Sequence, residues 1–487
     1  MKRFFKIPIY LIGISCLPAQ AADYYVSTAN GASDNNPGTQ SSPWASPQEA
    51  ARTAISGDTV NFEDGTWDLD DIVRFKNKGT ATNPIVFRSV NLHGAKLKLP
   101  NTVVGLGDAL FSIGIFQDGS WKEEQEMYIV IDGLDLEGGR RHTIQATGGG
   151  QLTIKNCKIH HSGNDPIKIN SAADYVLIEN NEIYESGVGE KQVCSETHAC
   201  NSDGIDITSS DFVTVRGNHI HDIASWGVYT KKGSKNTIIE NNIIHDTYEG
   251  GIGLGESTVT YDAIARNNIL YNIDHSCLQF SGGKESKFYN NTCYNVSRVF
   301  GSNWAGMRVA PAEHTAGAKE GDDKYSRNIE FYNNVIVLNN SDGYCFKASD
   351  PSFAGTGKAA HIAQMKMDNN LCYNLSGSSN YFWKFEGKVQ SGIDAWRSYT
   401  NELGTAQSTS DIVGLAPEFV QVSNENSDDL FLPGDFSPLI DSGIDLSEDV
   451  AKDYYGFNRE TNAFDIGAVE NTRNVMPTPI NIRSRKN

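Results

Sequence analysis

The sequence predicts an all-β solenoid built from stacked coils. Three observations predict this fold: similar short segments recur through the middle of the chain, apolar and polar residues alternate within each segment, and asparagine recurs at one place in most of them. Alternation with a period of two residues indicates strands rather than helices. Repeats of about 20 to 50 residues are typical of solenoids, in which each coil buries its apolar face against its neighbours.

Eight segments align, and the first two are LTIKNCKIHHSG at 152–163 and VLIENNEIYESG at 176–187. When Asn156, Asn180 and their counterparts are taken as equivalent, the successive spacings are 24, 37, 24, 26, 23, 43 and 36 residues. A base period near 24 residues with inserted loops accounts for these spacings. Leucine-rich repeats have a similar period, but their regular leucine pattern is absent here.

The alignment places residues of one type in rows that run from coil to coil. The row predicted to face the core is Ile159, Ile183, Ile220, Ile244, Leu270, Cys293, Ile336 and Cys372. A row of alternating charge, as favoured on neighbouring strands, is Lys155, Glu179, Arg216, Glu240 and Arg266. A row expected to form an asparagine ladder at a turn is Asn181, Asn242, Asn268, Asn291, Asn334 and Asn370. Cys293 and Cys372 are therefore interpreted as small apolar core residues.

Rows of this kind resemble those of the right-handed parallel β-helix. At the N-terminal end, the stretch SPQEAARTAISG (46–57) predicts a short capping helix with Ser46 as N-cap, Pro47 in its first turn, Glu49 closing a capping box and Gly57 as its stop. The regions around GDTVNFEDGTW and FDIGAVE also resemble the ends of many secreted β-helix proteins.

We therefore divide the chain into four parts. These are a signal peptide at 1–21, an N-terminal cap with the first coils at 22–127, central coils at 128–376 with insertions at 188–201 and 300–324, and C-terminal coils with a cap at 377–487.

The first 21 residues predict secretion, to the periplasm or the exterior of a bacterium. They have a basic start, an apolar middle and the small-residue cleavage site Ala19-Gln20-Ala21. A membrane anchor is the competing interpretation, but the apolar run is shorter than the roughly 20 residues that a spanning helix needs. A lipoprotein processed at Cys16 is a third interpretation. Export also favours a disulfide between Cys194 and Cys200, which flank SETHA.

The charge of the chain excludes two classes of partner. The formal net charge is -19, and removal of the signal peptide makes it -22. A protein this acidic is not a general binder of nucleic acid or of anionic membranes. We expect it to be a monomer.

A second strand in each coil carries the candidate chemistry. The segments NDPIKIN, SDGIDIT, SWGVYTK, EGGIGLG and HSCLQFS align from 164 to 281. One outward row is then Lys168, Asp206, Tyr229, Gly253 and Gln279, and the next is Asn170, Thr208, Lys231, Gly255 and Ser281. The preceding turn contributes Asp165, Asp203 and Trp226. Because adjacent strands lie about 4.8 Å apart, these three carboxylates, the two lysines and the tyrosine should converge on one wall.

Two interpretations of this wall remain open. It can be a salt-bridge ladder on an exposed sheet, in which Lys168 and Asp206 neutralise one another. Alternatively, the wall binds a ligand. The glycines at 250, 251, 253 and 255 predict a flat surface with room for one, and the two long insertions can form the walls of a groove.

Secreted β-helices with such a groove resemble polysaccharide lyases, including pectate, alginate and chondroitin lyases. The closest parallel is polysaccharide lyase family nine, which implies that Asp165, Asp203 and Asp206 bind calcium (Ca2+). The same resemblance implies a lysine base, for which we select Lys231, and an acidic polysaccharide as the substrate. β-Elimination also needs an acid, for which Tyr229 is the candidate.

The remaining candidate residues have supporting roles. Lys168 is grouped with the catalytic residues because its charge acts on Lys231. The candidate substrate-binding residues are Lys232, Trp226, Gln279, Arg308 and His314. His160, His221 and His245 share a row with three tyrosines, which favours ring stacking over catalysis.

Three other functions fit parts of the sequence. DPIK at 165–168 resembles a motif of the mannuronan C5-epimerases. A glycoside hydrolase needs two carboxylates about 5 to 9.5 Å apart, which Asp203 and Asp206 can supply. A non-catalytic carbohydrate-binding surface protein is the alternative from another class.

Overall fold

The computed structural model describes most of the chain between residues 21 and 471. The described residues are 21–75, 77–105, 108–114, 125–187, 201–255, 260–299, 304–310, 326–348, 364–385, 387–423, 427, 429–461 and 463–471. The signal peptide before Ala21, the Cys194–Cys200 pair, His314 and most of the two predicted insertions lie outside these residues. In the part of the chain described, there is no helix with the length and apolar character needed to cross a membrane.

The described strands form three sheets of 12 strands each, which we call the first, second and third sheet in the order in which a coil passes through them. The first sheet contains Asp23–Val26, Thr59–Phe62, Ile85–Ser89, Gln125–Asp132, Gly149–Lys155, Val176–Glu179, Thr214–Arg216, Ile238–Glu240, Ile264–Arg266, Lys287–Tyr289, Ile329–Tyr332 and Met365–Asp368. The second sheet contains Gly65–Asp68, Ala95–Leu99, Asp135–Gly138, Lys158–His160, Glu182–Tyr184, His219–Ile223, Ile243–Thr247, Ile269–Ile273, Thr292–Val296, Val335–Leu338, Leu371–Asn374 and Ile412–Val413. The third sheet contains Val73–Arg74, Ala109–Ile113, His142–Thr147, Ile167–Asn170, Ile205–Thr208, Val228–Lys231, Ile252–Leu254, Leu278–Ser281, Ala305–Ala310, Tyr344–Ala348, Phe382–Phe385 and Lys388–Ser391.

Neighbouring strands are parallel throughout these sheets, apart from the last pair of the third sheet. A short parallel pair, Thr260–Tyr261 with Gly283–Lys284, lies outside them. Each coil therefore gives one strand to each sheet before the next coil stacks upon it. The architecture is a parallel β-helix.

The predicted rows have the predicted register. In the core row, each residue pairs with the next from Ile159 to Cys372, and all of them are buried. In the charged row, Arg216 pairs with Glu179 at 2.7 Å, and Arg266 likewise pairs with Glu240. The apolar interior forms one cluster along the length of the stack.

The asparagine ladder is confirmed at the turn between the first and second sheets. Asn242 is typical: its Nδ2 donates to Asn268 Oδ1 at 2.9 Å and to Val215 O at 3.0 Å, and its Oδ1 accepts from Asn218 N at 3.0 Å. Asn218 is thus a further member, beyond the predicted row. The ladder ends at Asp411, which accepts a hydrogen bond from the backbone of Asn370.

The turn that carries the ladder has a constant length. From Lys155 onward, two residues separate each first-sheet strand from the second-sheet strand that follows it, as between Glu179 and Glu182. The first of these two residues has a left-handed backbone, with φ of 56° at Asn180 and 63° at Gly217. Asparagine and glycine tolerate that conformation, which explains why one of them occupies the first position of each of these turns.

Two disulfides correct the interpretation of the core cysteines. Cys293 is bonded to Cys277, and Cys372 is bonded to Cys345. Both Cys293 and Cys372 are buried in the predicted row, but they are cross-linked and not merely small apolar residues. In each bond, a second-sheet cysteine reaches the start of the third-sheet strand in the preceding coil, so two coils are joined. Cys157 is buried and forms no disulfide with any cysteine in the described part of the chain.

Helix α1, Pro47–Thr53, covers the N-terminal end of the stack and buries two alanines there. The Oγ of Ser46 accepts from Glu49 N at 3.1 Å, which confirms the N-cap. The helix ends before Gly57, so the predicted stop is wrong. Of the two hydrogen bonds of a capping box, the one from Glu49 N to Ser46 Oγ is formed. The carboxylate of Glu49 accepts from Thr53 Oγ1 at 2.7 Å instead of from the backbone of Ser46.

The C-terminal part of the chain packs on the stack in two places. Helix α2, Ile393–Glu402, buries Trp396 against the last coils. Farther along, Phe431 and Val469 pack with Tyr271 on the outer face of the second sheet.

Candidate active site on the third sheet

The third sheet brings the predicted site residues together. Lys168, Asp206, Tyr229, Gly253 and Gln279 are direct neighbours on five successive strands, as the alignment predicted. The isoleucines on either side of Lys168 and Asp206 point into the core. Because side chains alternate along a strand, burial of those isoleucines fixes the lysine and the aspartate on the outer face.

The three carboxylates form a buried cluster. Asp165, Asp203 and Asp206 are at most 1% exposed, and one oxygen of each lies within 4.8 Å of the other two. The backbone N–H of Asp203 donates to Asp165 Oδ1 at 2.8 Å, and the N–H of Trp226 donates to Asp203 Oδ1 at 3.1 Å. Successive turns thus hold the carboxylates in place through the backbone.

Two lysines approach the same carboxylates. Lys231 Nζ lies 2.9 Å from Asp203 Oδ2 and 3.3 Å from Asp206 Oδ2. Lys168 forms an ion pair with Asp206, whose other oxygen accepts from Thr208 Oγ1 at 2.7 Å. The cluster therefore contains three acidic groups against two ammonium groups.

The surroundings move the pKa values of two of these carboxyls in opposite directions. Burial raises the pKa of Asp165 well above its ordinary value, and the charge of Asp206 raises it further. Burial also acts to raise the pKa of Asp206, but Lys231 and Lys168 more than offset this effect, and the pKa is lowered. Asp206 is therefore the more strongly ionised of the two.

His142 is a neighbour of the cluster that the sequence did not reveal. Its Nδ1 lies 3.5 Å from Asp165 Oδ2. Burial, with the positive charges of Lys168 and Arg141, lowers the pKa of His142 to about 3, so the ring is neutral at neutral pH. The neutral ring carries no charge to offset Asp165, whose buried Oδ2 accepts no hydrogen bond from the described residues.

The carboxylates fit a calcium ion. Oxygens bound to one such ion at about 2.4 Å can lie up to about 4.8 Å apart, which is the limit found here. The orphaned Oδ2 of Asp165 and the excess of carboxylate over ammonium both favour a hard cation. Lys168 and Lys231 contact the same oxygens, so each lysine would lose part of these contacts if calcium were bound.

The glycines beside the cluster accommodate aromatic rings. An added Cβ at Gly250 would lie 2.0 Å from the Trp226 ring, and one at Gly253 would lie 2.6 Å from the Tyr229 ring. Both rings are 6% exposed. The prediction of a flat open surface here is therefore wrong, because the protein itself fills the space. Lys231 Nζ lies 4.7 Å from the centre of the Tyr229 ring.

The outward row continues beyond Gln279 with three cations, which we call the basic row. Arg308, Lys347 and Lys384 occupy this position on the next three strands. Arg308 Nη1 donates to Gln279 Oε1 at 2.9 Å, and its guanidinium lies 4.9 Å from the centre of the Trp304 ring. Burial, Arg308 and Lys384 together lower the pKa of Lys347 to about 8.

The basic row corrects one prediction and extends another. Arg308 was predicted in an irregular insertion but lies on the strand Ala305–Ala310. The segment GYCFKAS aligns with HSCLQFS through Cys345 and Cys277, an alignment that could have revealed Lys347. Lys232 is exposed at the end of its strand, where its backbone is left-handed.

Comparison with known proteins agrees with this architecture. A family profile described as "Pel9A-like, right handed beta helix region" matches residues 24–191, and one described as "Right handed beta helix region" matches residues 142–310. The chain is a right-handed parallel β-helix. No curated protein sequence matches it significantly.

Solved structures resemble this β-helix along most of its length. Pectate lyase Pel9A has 18% sequence identity and a TM-score of 0.58, covering 93% of this chain and 97% of its own. The complex of XylC with xylose has 12% identity and a TM-score of 0.49, covering 92% and 98%. An alginate lyase from Paenibacillus sp. str. FPU-7 has 17% identity and a TM-score of 0.46, covering 75% and 98%. At 18% identity, the likeness to Pel9A shows the fold alone.

Proposed function

We propose that the protein is a secreted polysaccharide lyase that cleaves a uronic-acid-containing polysaccharide by β-elimination, assisted by calcium. The observation that supports this proposal best is the cluster of Asp165, Asp203 and Asp206 with Lys231 against it. The Pel9A-like profile matches residues 24–191, which include Asp165 but not the other two aspartates. It supports the same class of enzyme. Two disulfides suit an exported protein.

The proposed reaction removes one proton and delivers another. Lys231 Nζ, in its neutral form, takes the C5 proton of a uronate. The electron pair of that C–H bond forms the C4–C5 double bond as the C4–O4 bond breaks, and the leaving O4 receives a proton from an acid. Tyr229, whose ring lies beside Lys231, is the proposed acid. Lys168 remains paired with Asp206 and fixes the position of that carboxylate.

Calcium held by Asp165, Asp203 and Asp206 would neutralise the substrate carboxylate, which acidifies the C5 proton, and would take up carboxylate charge that otherwise keeps Lys231 protonated. Without a cation, the two ion pairs of Lys231 stabilise its ammonium form. Activity should therefore require added calcium.

The basic row favours an acidic polymer as the substrate. Arg308 lies four strands from Asp206, or about 19 Å at the usual strand spacing. Lys347 and Lys384 continue the row on the next two strands. On a protein with a net charge of -19, this local positive stripe can attract the carboxylates of a chain lying along the sheet.

The test is a substrate screen with the full-length exported protein. Alginate, pectate and glycosaminoglycans are incubated with and without EDTA, and the ultraviolet absorbance of the unsaturated uronate product is followed. A neutral glucan is the matched control polymer. We expect absorbance to rise with one class of uronate polymer and EDTA to abolish the rise. No rise with any uronate polymer would reject the lyase, and full activity in EDTA would reject the role of calcium.

A glycoside hydrolase is the second candidate. The opposite pKa shifts of Asp165 and Asp206 favour it, because such an enzyme pairs a protonated carboxyl with an ionised one. A glycoside hydrolase would release reducing ends without forming the unsaturated product that absorbs ultraviolet light. Polymer binding without either product would instead indicate a carbohydrate-binding protein.

A further inference from the structure

A second cluster of possible metal ligands lies on the outer face of the second sheet. His219 and His221 alternate on the strand His219–Ile223, so both point outward. Glu182 is the direct neighbour of His219 on one adjacent strand, and His245 is the direct neighbour of His221 on the other. Three successive coils therefore contribute to this cluster.

The donor atoms of these side chains lie close together. One donor atom each of Glu182, His219 and His221 lies within 4.8 Å of the other two. His219 Nε2 lies 2.7 Å from His245 Nε2, and His221 Nε2 lies 3.8 Å from Glu182 Oε1. Ligand atoms on a tetrahedral zinc ion are about 3.3 Å apart, so the donor atoms of Glu182, His219 and His221 would have to approach one another by up to about 1.5 Å to bind one ion.

The second ring nitrogens are arranged as they are around a metal. The Nδ1 of His221 hydrogen-bonds to Asp222 Oδ2 at 2.9 Å, and the Nδ1 of His245 hydrogen-bonds to Asp246 Oδ2 at 2.7 Å. Metal-bound histidines usually donate their other N–H to a carboxylate, which orients the ring and increases its basicity. Both Nε2 atoms are thereby directed into the cluster.

One buried atom of the cluster lacks a hydrogen bond. His221 Nε2 has no such partner in the described part of the chain. Buried polar atoms are normally satisfied, so an atom left without a hydrogen bond within reach of two imidazoles and a carboxylate indicates a missing ligand. Ring stacking alone explains the ladder through Tyr184, His221, His245 and Tyr271, but it leaves this nitrogen with only the 3.8 Å ion-pair contact to Glu182 Oε1.

We propose that Glu182, His219 and His221 bind one divalent transition-metal ion, with zinc as the representative ion. Two imidazoles and a carboxylate are a ligand set that zinc accepts and that calcium, which prefers oxygen, does not. The His245 ring is stacked parallel to His221, so it contacts His219 through their Nε2 atoms and is not part of the ligand set. This site is distinct from the carboxylate cluster, which lies on the third sheet.

The ion would join two consecutive coils. The strands Glu182–Tyr184 and His219–Ile223 lead, along the chain, to the strands that carry Asp206 and Lys231. A metal joining these coils would oppose their separation and would stabilise the folded state by mass action. We therefore expect zinc to raise the melting temperature of the protein, independently of any substrate.

The test measures metal binding directly. Full-length protein stripped with a chelator is dialysed against zinc, and bound metal is counted by mass spectrometry. Cobalt, which absorbs visible light in tetrahedral sites, reports the geometry. We expect one zinc ion per chain, a raised melting temperature and loss of both effects in the double variant His219→Ala/His221→Ala. Asp222→Asn should weaken binding about tenfold or more.

His160→Gln is the matched control, because His160 belongs to the same ring ladder but contributes no donor to the cluster. This control should retain wild-type zinc binding. Circular dichroism of each variant establishes that the β-helix is intact. Absence of zinc binding by folded wild-type protein, or unchanged binding by the folded double variant, would overturn the proposal. Neither result depends on lyase activity.

Discussion

Lys231 and Asp203 lie on neighbouring coils, and the ammonium of the first is 2.9 Å from the carboxylate of the second. Both side chains are buried, with Lys231 6% exposed and Asp203 1% exposed. Their contact depends on the stacking register, because Lys231 pairs with Thr208 and not with a residue one position away. The proposed base is therefore placed by the same register that orders the core.

Removal of the Lys231 amine should abolish most of the catalysis. General-base catalysis contributes about 10²- to 10⁴-fold, so Lys231→Ala should lower kcat by at least about 100-fold, measured as the rate of unsaturated product. Lys235→Ala is the matched control, because Lys235 is an exposed lysine on the same coil. Normal turnover by a folded Lys231→Ala variant would show that this lysine is not the base.

Asp165→Asn should separate the metal role of the cluster from its structural role. The substitution removes one buried carboxylate whose Oδ2 has no hydrogen-bond partner among the described residues, so calcium affinity measured by titration calorimetry should fall at least tenfold. In EDTA, the variant should be at least as stable as the wild type at neutral pH, because a buried acid beside Asp206 is gone. Unchanged calcium affinity would contradict the proposed ligand set.

Asp411 should make the stability depend on pH. Burial raises its pKa to about 6, so the folded state holds this proton more tightly than the unfolded state does. The resulting stabilisation is complete below pH of about 4 and is lost as the pH rises through about 6. Asp411→Asn should thus be more stable than the wild type at pH 8, by up to about 3 kcal/mol, and no more stable at pH 4. Denaturant unfolding at both pH values measures this difference, and an equal effect at both would refute it.

Loss of one disulfide should weaken the stack measurably. The bond between Cys277 and Cys293 closes a loop with a sequence separation of 16. A loop of this size predicts a loss of about 3 kcal/mol in Cys277→Ala/Cys293→Ala, measured by denaturant unfolding. Reductant should destabilise the wild type more than the variant. Equal sensitivity of the two proteins would indicate that this bond contributes no stability.

The asparagine ladder should be sensitive to truncation of a single member. Asn242→Ala removes the hydrogen bonds that Asn242 makes with Val215 O, Asn218 N and Asn218 Nδ2, at a cost of about 3 kcal/mol. Asn241→Gly is the neighbouring control, because glycine adopts the φ of 55° found at Asn241. A comparable loss in both variants would show that the turn, and not the ladder, is responsible.

Much of the fold could be predicted because the sequence repeat determines the register in which neighbouring strands pair. The period-two alternation and the asparagines place Ile159 above Ile183 and Glu179 above Arg216. Disulfide partners could not be predicted in the same way. Cys293 lies in an apolar row, and its partner Cys277 lies on another sheet in the preceding coil, so no row contains both.

The sequence predicted which residues of the candidate site are neighbours. It did not predict how their side chains pack. Register places Tyr229 beside Gly253 but does not show that the ring fills the space above that glycine. His142 lies outside the aligned segments, so its approach to Asp165 became visible only in the structure. The role of each residue in catalysis remains a prediction.

The constant two-residue turn has a consequence for how such a chain can diverge. From Lys155 onward this turn keeps its length, whereas the connections before and after the third-sheet strands vary in length, as between Tyr184 and Ile205 and between Ala310 and Ile329. Along the chain, these two connections adjoin the strands that carry Asp206 and Arg308. Substrate preference can therefore be altered by exchanging loops while the scaffold beneath them is inherited unchanged.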